Sequence, residues 1–205
     1  MSFLYCIWAK KGSWGFNRRA GIHEYESAKD LIHLLIETVA FNGNLLLNVG
    51  PSADGTISPI FQDRLLEIGN WLKINGEAIY KTKPWSVCQN ETSPHNDLFY
   101  TTKGKTLYAI LRQWPDDNKL RLTCPVTTAE TKARMLGLDS EKENVLWSVP
   151  STLLASNKST QKEEERQLRQ IADHNGLELD LPALNPATTP SHYAWVVALT
   201  GLANV

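Results

Sequence analysis

Residues Phe41–Trp71 read FNGNLLLNVGPSADGTISPIFQDRLLEIGNW, and this stretch decides the fold class. A nearly all-apolar run at Asn44–Val49 is followed by Gly-Pro and Asp-Gly turn residues, and an amphipathic pattern begins at Pro59. Such a run is typical of a strand buried on both faces in a parallel sheet, and proline fits the first turn of a helix. The stretch therefore predicts a strand–turn–helix unit of an α/β domain.

A second amphipathic helix is predicted just before this strand. Ser27 is its expected N-cap, and Asp30 provides a loose capping box. Apolar residues recur at helical spacing as far as Ala40, and Asn42-Gly43 is a typical signal for the end of a helix. Because residues 1–83 supply only one convincing strand, we expect its leucines and the apolar helix faces to lack barrel partners and both strand edges to be open. This half is therefore predicted to be loosely packed, partly docked on the second half, or prone to aggregation.

The pattern changes after Pro84, where short β-prone runs alternate with turn residues. The predicted strands cover 97–100, 107–114, 119–124, 133–138, 145–149, 177–181 and 193–200. This spacing is typical of an antiparallel β-sandwich. Residues 84–205 are therefore assigned to an all-β domain. A charged stretch at about 156–175 within it is predicted to be a solvated loop or a short exposed helix.

Composition excludes several classes of partner. The net charge is −1 and neither half is basic, which argues against a nucleic-acid partner. No run reaches the ~18 apolar residues of a membrane span, so no membrane partner is expected. The apolar start, Met1–Ala9, lacks a preceding positive region and makes a poor signal peptide. The three cysteines and five histidines show no ligand spacing, so neither a metal nor another cofactor is predicted.

Cys88 and Cys124 leave two interpretations open. They could form a disulfide that closes a loop of about 36 residues, or they could be separate buried thiols, which we expect because nothing in the spacing requires a bond. N-glycosylation sequons begin at Asn90 and Asn157, and each is a candidate modification site of a secretory protein.

The sequence resembles the α-L-fucosidases, a family of retaining glycoside hydrolases. The motifs that carry the resemblance are Ser13–Phe16 (SWGF), Asn44–Pro51 (NLLLNVGP), Asp54-Gly55, Trp71, Asn75–Tyr80 (NGEAIY), Pro84-Trp85, Tyr193–Trp195 (YAW) and Leu199–Gly201 (LTG). The match is strong from Ser13 to Trp85 and looser from there to the end.

The resemblance implies a fold and an activity. Residues 1–83 would form the last helix–strand–helix of a catalytic (β/α)8-like barrel, and residues 84–205 would form the C-terminal antiparallel β-sandwich. The family removes terminal fucose from glycoproteins and oligosaccharides, so fucosylated glycans are the implied partners. A homo-oligomer or a pairing with a full-length homologue, and a lysosomal or secreted location, are also implied.

The resemblance also implies that this chain alone is inactive. The family's nucleophilic Asp lies on an earlier barrel strand, and its acid/base Glu lies shortly before the Ser-Trp-Gly motif. Here the corresponding stretch, Phe3–Gly12 (FLYCIWAKKG), contains no carboxylate. The other acidic residues of this half are expected to be turn or solvent-facing helix residues: Glu24, Glu26, Glu37, Asp54, Asp63 and Glu67. The alternative function is a non-catalytic sandwich that serves stability, interaction or weak carbohydrate binding.

Two residues are candidates for substrate contact. The indole of Trp14 could stack on the apolar face of a sugar, or it could be a core tryptophan between barrel elements. Asn48 lies at the carboxyl end of the predicted strand, where ligands bind in α/β folds. It could orient a neighbouring loop or accept a sugar hydroxyl, or it could be a satisfied buried amide. Arg18 and Arg19 are expected to be exposed, and His33 is expected to be a helix residue with a hydrogen-bond partner.

Overall fold

The structure is a computed structural model that describes residues 4–8, 14–93, 96–138, 144–149, 175–185 and 191–205. In chain order the elements are β1 (Leu4–Trp8), α1 (Ala28–Ala40), β2 (Asn44–Asn48), α2 (Pro59–Asn75), β3 (Lys83–Pro84), β4 (Asn90–Ser93), β5 (Asn96–Lys103), β6 (Thr106–Leu111), β7 (Lys119–Val126), β8 (Lys132–Met135), β9 (Leu146–Ser148), β10 (Asn175–Asp180) and β11 (Trp195–Thr200). Single-turn 3₁₀ helices lie at Ile22–Glu24 and Gly76–Ala78. The charged stretch at about 156–175 falls outside the described residues, except for the start of β10 at residue 175.

Helix α1 follows its local sequence signals. The Ser27 hydroxyl accepts a hydrogen bond from the backbone N–H of Asp30 at 3.1 Å, which satisfies one of the free donors of the first turn. Just beyond the helix, Asn42 has a φ of 64°, a left-handed conformation that asparagine tolerates better than most residues. The predicted start and end of this helix are both confirmed.

Strand β2 does not lack a neighbour. Strand β1 pairs with it in parallel register, from Leu4 opposite Asn44 to Trp8 opposite Asn48. The expectation of a lone strand with two open edges is therefore wrong. The sequence LYCIW is short and β-prone, but its position at the start of the chain led us to weigh it only as a targeting segment.

The leucines of β2 are only partly covered. Leu46 is 50% exposed, and Leu45 and Leu47 are half-buried. A parallel strand is buried on both faces only where strands flank it and helices cover both sides. Within the described part of the chain, β2 pairs with β1 alone and α1 packs beside it, so the expectation that its leucines lack packing partners is met for Leu46 and only in part for Leu45 and Leu47.

The second half is an antiparallel sandwich, as predicted. One sheet has six strands: five follow the order β3-β5-β6-β11-β8, and β4 pairs with β5 beside β3. The other sheet has three strands in the order β7-β10-β9. Strands β3 and β4 pair with consecutive parts of β5, so together they form one edge of the larger sheet. The apolar side chains between the sheets include Tyr100, Leu107, Leu122, Leu177 and Leu199.

The six-stranded sheet is buried on both faces. Leu107 and Ala109 of β6 face the smaller sheet, whereas the alternate residues Tyr108 and Ile110 face the helices. There they join Ile32, Ile36 and Ala40 of α1 and Trp71 of α2 in a second apolar cluster. The molecule is therefore built in three layers, and of the three outcomes predicted for the first half, docking on the second half is the one that the helices show.

Hydrogen bonds reinforce the contact between the helices and the larger sheet. They converge on Ser191–Ala194, which we call the seam segment. The His33 ring donates from Nε2 to the Tyr193 carbonyl at 2.8 Å, and the Trp71 indole donates to the Ala194 carbonyl at 2.9 Å. The Asn75 amide donates to the Ser191 hydroxyl at 2.9 Å. Side chains from both helices therefore fix the chain just before β11, and the prediction of a partnered His33 is confirmed.

We expect His33 to make the protein less stable in acid. Burial lowers the pKa of His33 from 6.5, and the Tyr193 carbonyl offsets only part of this effect. The unfolded chain therefore binds this proton at a higher pH than the folded chain does. Its stabilising contribution is complete above pH ~6.5 and is lost as the pH falls through the lowered pKa.

Urea unfolding of wild type and His33→Gln between pH 5 and 8 tests this expectation. Glutamine can donate to the same carbonyl but does not titrate, so the free energy of unfolding of the variant should fall less steeply below pH 6.5. A Leu66→Ala control, at an exposed position with no titrating group, should keep the wild-type slope. Parallel profiles for wild type and His33→Gln would contradict the assignment.

Cys88 and Cys124 form a disulfide. Their Cα atoms are 6.3 Å apart, and the bond joins the segment between β3 and β4 to β7 of the opposite sheet. Our expectation of separate thiols is wrong, because the sequence does not reveal that the two sheet edges meet at this point.

The Glu91 carboxylate lies beside the disulfide and links the same two sheets. It accepts hydrogen bonds from the Tyr100 hydroxyl at 2.6 Å, from the backbone N–H and hydroxyl of Thr123, and from the backbone N–H of Cys124. Both a covalent bond and a polar cluster therefore join this edge of the sandwich.

Candidate functional site

The carboxyl end of β2 brings together the two residues predicted to contact substrate. The strand ends at Asn48, and residues 14–16, which we call the Trp14 loop, lie against this end. In parallel α/β folds this end of a strand is where ligand-binding side chains gather. The described residues therefore place the candidate site at the end of β2.

Trp14 and Asn48 are joined by a hydrogen bond. The Asn48 side chain donates from Nδ2 to the Trp14 carbonyl at 2.8 Å, although the residues are 34 positions apart. Trp14 is 54% exposed within the described residues. Asn48 is half-buried, and its amide nitrogen is used in the hydrogen bond to the neighbouring loop. Direct contact of either residue with a sugar stays a prediction.

Gly50 also contacts the Trp14 loop, and the sequence reasoning did not single it out. A Cβ atom at this buried position would lie 2.5 Å from the Phe16 nitrogen and 2.7 Å from the Gly15 carbonyl carbon. Only glycine allows the two backbones to approach so closely. The available signal was a glycine placed two residues after the strand end, which we had interpreted only as turn chemistry.

Asp54 belongs to a closed turn, as predicted. The Ser52 hydroxyl donates to its carboxylate at 2.5 Å, and the Thr56 hydroxyl contacts the same group at 3.3 Å. The hydrogen bond from Ser52 is the main reason that the pKa of Asp54 lies below its usual value. A carboxyl group that is ionised and held in a turn is poorly suited to act as a general acid.

Other carboxylates of this half have structural roles. Glu24 accepts from the backbone N–H of Gly21 at 2.8 Å, and Glu37 pairs with Arg112 at 3.2 Å. Asp63 pairs with its neighbour Arg64. The side chains of Arg18 and Arg19 are exposed, as expected.

The sequons differ in what the structure describes. Asn90 is exposed on β4, at the edge of the larger sheet, so its side chain is accessible for modification. Asn157 lies outside the described residues. Glycosylation of either residue stays a prediction.

A possible metal-ligand cluster is already used by the protein itself. Within the described ranges, ligand atoms of Cys88, Glu91 and Cys124 lie within 4.8 Å of one another. The two sulfur atoms are bonded to each other, and Glu91 accepts hydrogen bonds from neighbouring strands. A metal ion would have to break the disulfide to use these thiolates. Among the described residues, no helix has the length and apolar character that a membrane span requires.

Two family models match the chain in order. Residues 2–77 match the model described as α-L-fucosidase, and residues 89–200 match the model for the α-L-fucosidase C-terminal domain. The second match alone covers more than half of the chain.

Curated relatives extend over nearly the whole sequence. The chain is 39% identical over 199 residues to human tissue α-L-fucosidase, covering 96% of this chain and 36% of the relative. It is 36% identical over 197 residues to an α-L-fucosidase of Branchiostoma floridae, covering 96% of this chain and 38% of that relative. The chain therefore spans little more than a third of the length of the relatives it matches.

Solved structures share the same fold. The α-fucosidase of Thermotoga maritima in complex with fucose aligns with a TM-score of 0.72 at 24% identity, over 97% of this chain and 40% of that one. An α-L-fucosidase isoenzyme of Paenibacillus thiaminolyticus aligns with a TM-score of 0.71 at 26% identity, over 98% and 40% of the two chains. The ordered sequence matches and the shared fold agree, and the chain belongs to the α-L-fucosidase family.

Proposed function

We propose that this chain supplies the C-terminal part of a retaining α-L-fucosidase. In this proposal residues 1–83 form the end of the catalytic (β/α)8-like barrel, and residues 84–205 form the sandwich domain. The observation that carries it is the order of the two family matches, together with a half-exposed Trp14 at the carboxyl end of a parallel strand. The substrates would be terminal α-L-fucosides of glycoproteins or oligosaccharides.

The chemistry requires groups beyond those of this chain. Retaining glycosidases use two carboxyl groups about 5 Å apart, one as nucleophile and one as acid/base. Residues 1–23 contain no Asp or Glu, and the carboxylates of Glu24, Glu37 and Asp54 are engaged by backbone, arginine and hydroxyl groups. We propose that the nucleophile and the acid/base come from segments outside these 205 residues, and that this chain alone is catalytically incompetent.

Trp14 and Asn48 would serve the substrate rather than the bond cleavage. A flat indole can cover the apolar face of a fucose ring and exclude water from it. Asn48 would act mainly through the loop that it holds, because its amide nitrogen already donates to Trp14. This role is consistent with the exposed position of the indole at the strand end.

The purified chain should not hydrolyse a chromogenic fucoside. We expect the release of 4-nitrophenol from 4-nitrophenyl α-L-fucoside to equal the blank at pH 4 to 8, because in this proposal the nucleophile and the acid/base that form and break the glycosyl intermediate lie outside these 205 residues. The folded state of the same sample should be confirmed by its near-ultraviolet circular dichroism. Turnover that persists after Asp54→Asn and Glu24→Gln would show that an acid/base pair exists elsewhere in the chain.

A secretory location, either lysosomal or extracellular, is proposed with the function. Structural disulfides persist in oxidising compartments, and the Cys88–Cys124 bond is of this kind. The exposed Asn90 sequon is consistent with that route, and we propose Asn90 and Asn157 as the glycosylated residues. The half-exposed Leu46 supports the further proposal that a second copy or a full-length homologue covers β2.

A non-catalytic role is the second candidate. The sandwich has an apolar core between its own two sheets, so it does not depend on β1 and β2 for that core. Such a module could stabilise a partner chain or bind carbohydrate weakly. Calorimetric titration of fucosylated oligosaccharides into wild type and Trp14→Ala would separate the two candidates, because binding that survives the loss of the indole favours the sandwich as the binding module.

A further inference from the structure

Two residues at the end of β2 hold the Trp14 loop from different sides. Asn48 reaches the loop through its side chain, and Gly50 meets it through its backbone. We propose that Asn48 and Gly50 are positioning residues that set the orientation of the Trp14 indole. The consequence for ligand binding rests on the proposed role of Trp14 in contacting fucose.

The hydrogen bond from Asn48 fixes one point of the loop. Asn48 lies opposite Trp8 in the β1–β2 pair, so its own backbone is held by the strand ladder. Its amide then holds the Trp14 carbonyl at 2.8 Å. Restraining that carbonyl restricts the backbone rotation that directs the indole. An aspartate here would present a carboxylate to the carbonyl and replace attraction with repulsion.

The close approach at Gly50 fixes a second point. The atoms that a Cβ would meet belong to the backbone of Gly15 and Phe16, so they cannot turn aside as a long side chain could. Non-bonded atoms pack at about 3.5 Å, and a methyl group starting at 2.5 Å would therefore push the loop away by roughly 1 Å. Gly50 is buried, so the methyl group has no open side to occupy.

Two anchors so close together make the loop position well determined. Asn48 holds the residue that bears the indole, and Gly50 accommodates the next two residues. A displacement of about 1 Å in a binding group can cost on the order of 100-fold in a reaction that depends on it. The position of the Trp14 indole would affect sugar affinity, because the whole stacking contact with a fucose ring is made by this one flat side chain.

The chain offers a matched control for the methyl group. A Cβ built on Gly69, in α2, meets nothing within 4 Å. Gly69→Ala therefore adds the same methyl group without a clash and outside the Trp14 loop.

The first measurement needs no ligand. In ¹⁵N-labelled 205-residue protein, the indole N–H of Trp14 is assigned as the signal missing in Trp14→Phe. We expect Gly50→Ala and Asn48→Asp to shift this signal and increase its attenuation by a soluble gadolinium chelate by about twofold or more. Gly69→Ala should leave the attenuation unchanged. The indole signal of Trp71, which bonds to Ala194, should stay in place in Gly50→Ala and Asn48→Asp.

A second measurement separates positioning from sugar binding. Methyl α-L-fucopyranoside should shift the Trp14 indole signal saturably in wild type, and Gly50→Ala should raise the apparent Kd about tenfold or more. Gly69→Ala should stay within about twofold of wild type. No response in wild type would refute the sugar-binding role of Trp14, while the ligand-free attenuation would still decide the positioning. An unchanged attenuation in Gly50→Ala, or equal Kd values in wild type and Gly50→Ala, would overturn the inference.

Discussion

Replacing both Cys88 and Cys124 by serine should lower the free energy of unfolding by about 4 kcal/mol. The disulfide closes a loop with a sequence separation of 36, and the unfolded chain regains the corresponding freedom when the bond is removed. For a chain of this size, such a loss corresponds to a fall in Tm of about 8–16 °C. Differential scanning calorimetry of the oxidised wild type and the double variant measures the difference.

The native structure around the bond should persist in the variant. Glu91 can still accept hydrogen bonds from Tyr100, from Thr123 and from the backbone N–H at position 124, so the two sheet edges remain connected. The near-ultraviolet circular dichroism should therefore stay close to that of wild type below the transition. This separates the loss of a covalent restraint on the unfolded chain from the loss of native contacts.

A reductant provides the matched control. Dithiothreitol should lower the Tm of wild type towards that of the double variant and leave the double variant unchanged. Cys6→Ser should keep the full response, because Cys6 lies on β1 and takes no part in the disulfide. A wild-type Tm that does not respond to complete reduction would contradict the predicted stabilisation.

The sequence predicted local elements well because their signals are local. The capping pair Ser27 and Asp30 and the helical periodicity define α1, and Pro59 marks the start of α2. Strands β6 and β11 were recognised from apolar β-prone runs, and the structure shows that their two faces pack in different clusters, one against the second sheet and one against the helices. Docking of the first half on the sandwich was one of three predicted outcomes, and the sequence could not select it because it depends on how separate elements meet.

The errors concern contacts between distant positions. Strand β1 was overlooked because five apolar residues are ambiguous without a partner, and its partner is 40 residues further along. The disulfide was missed for the same reason. In the candidate site, Trp14 and Asn48 were each identified by residue type and position, but their hydrogen bond was not. Gly50 was read as a turn residue, because a close approach of two backbones has no signature in a single sequence.

Replacing Trp71 by alanine should cost about 3–5 kcal/mol of stability. Trp71 is 3% exposed and packs between α1, α2 and the outer face of the six-stranded sheet. The substitution removes this apolar surface, creates a cavity and deletes the hydrogen bond to the Ala194 carbonyl. Trp71→Phe should cost only about 1 kcal/mol for the lost hydrogen bond, because the same carbonyl also accepts from the Ser191 hydroxyl.

The regions that lose amide protection show whether Trp71 holds the helices on the sheet or supports the whole core. In Trp71→Ala, amide exchange should become faster across α1 and α2, while the amides of β6 and β11 lose less protection because the core between the sheets remains. Leu66→Ala on the same helix is the control, since Leu66 is 66% exposed and its change should stay within about 0.5 kcal/mol. If Trp71→Ala costs no more than Leu66→Ala, or if all strands lose protection equally, α2 does not dock on the sheet as an independent layer. The helices would then be stabilised by contacts other than those with the seam segment and the outer face of the six-stranded sheet.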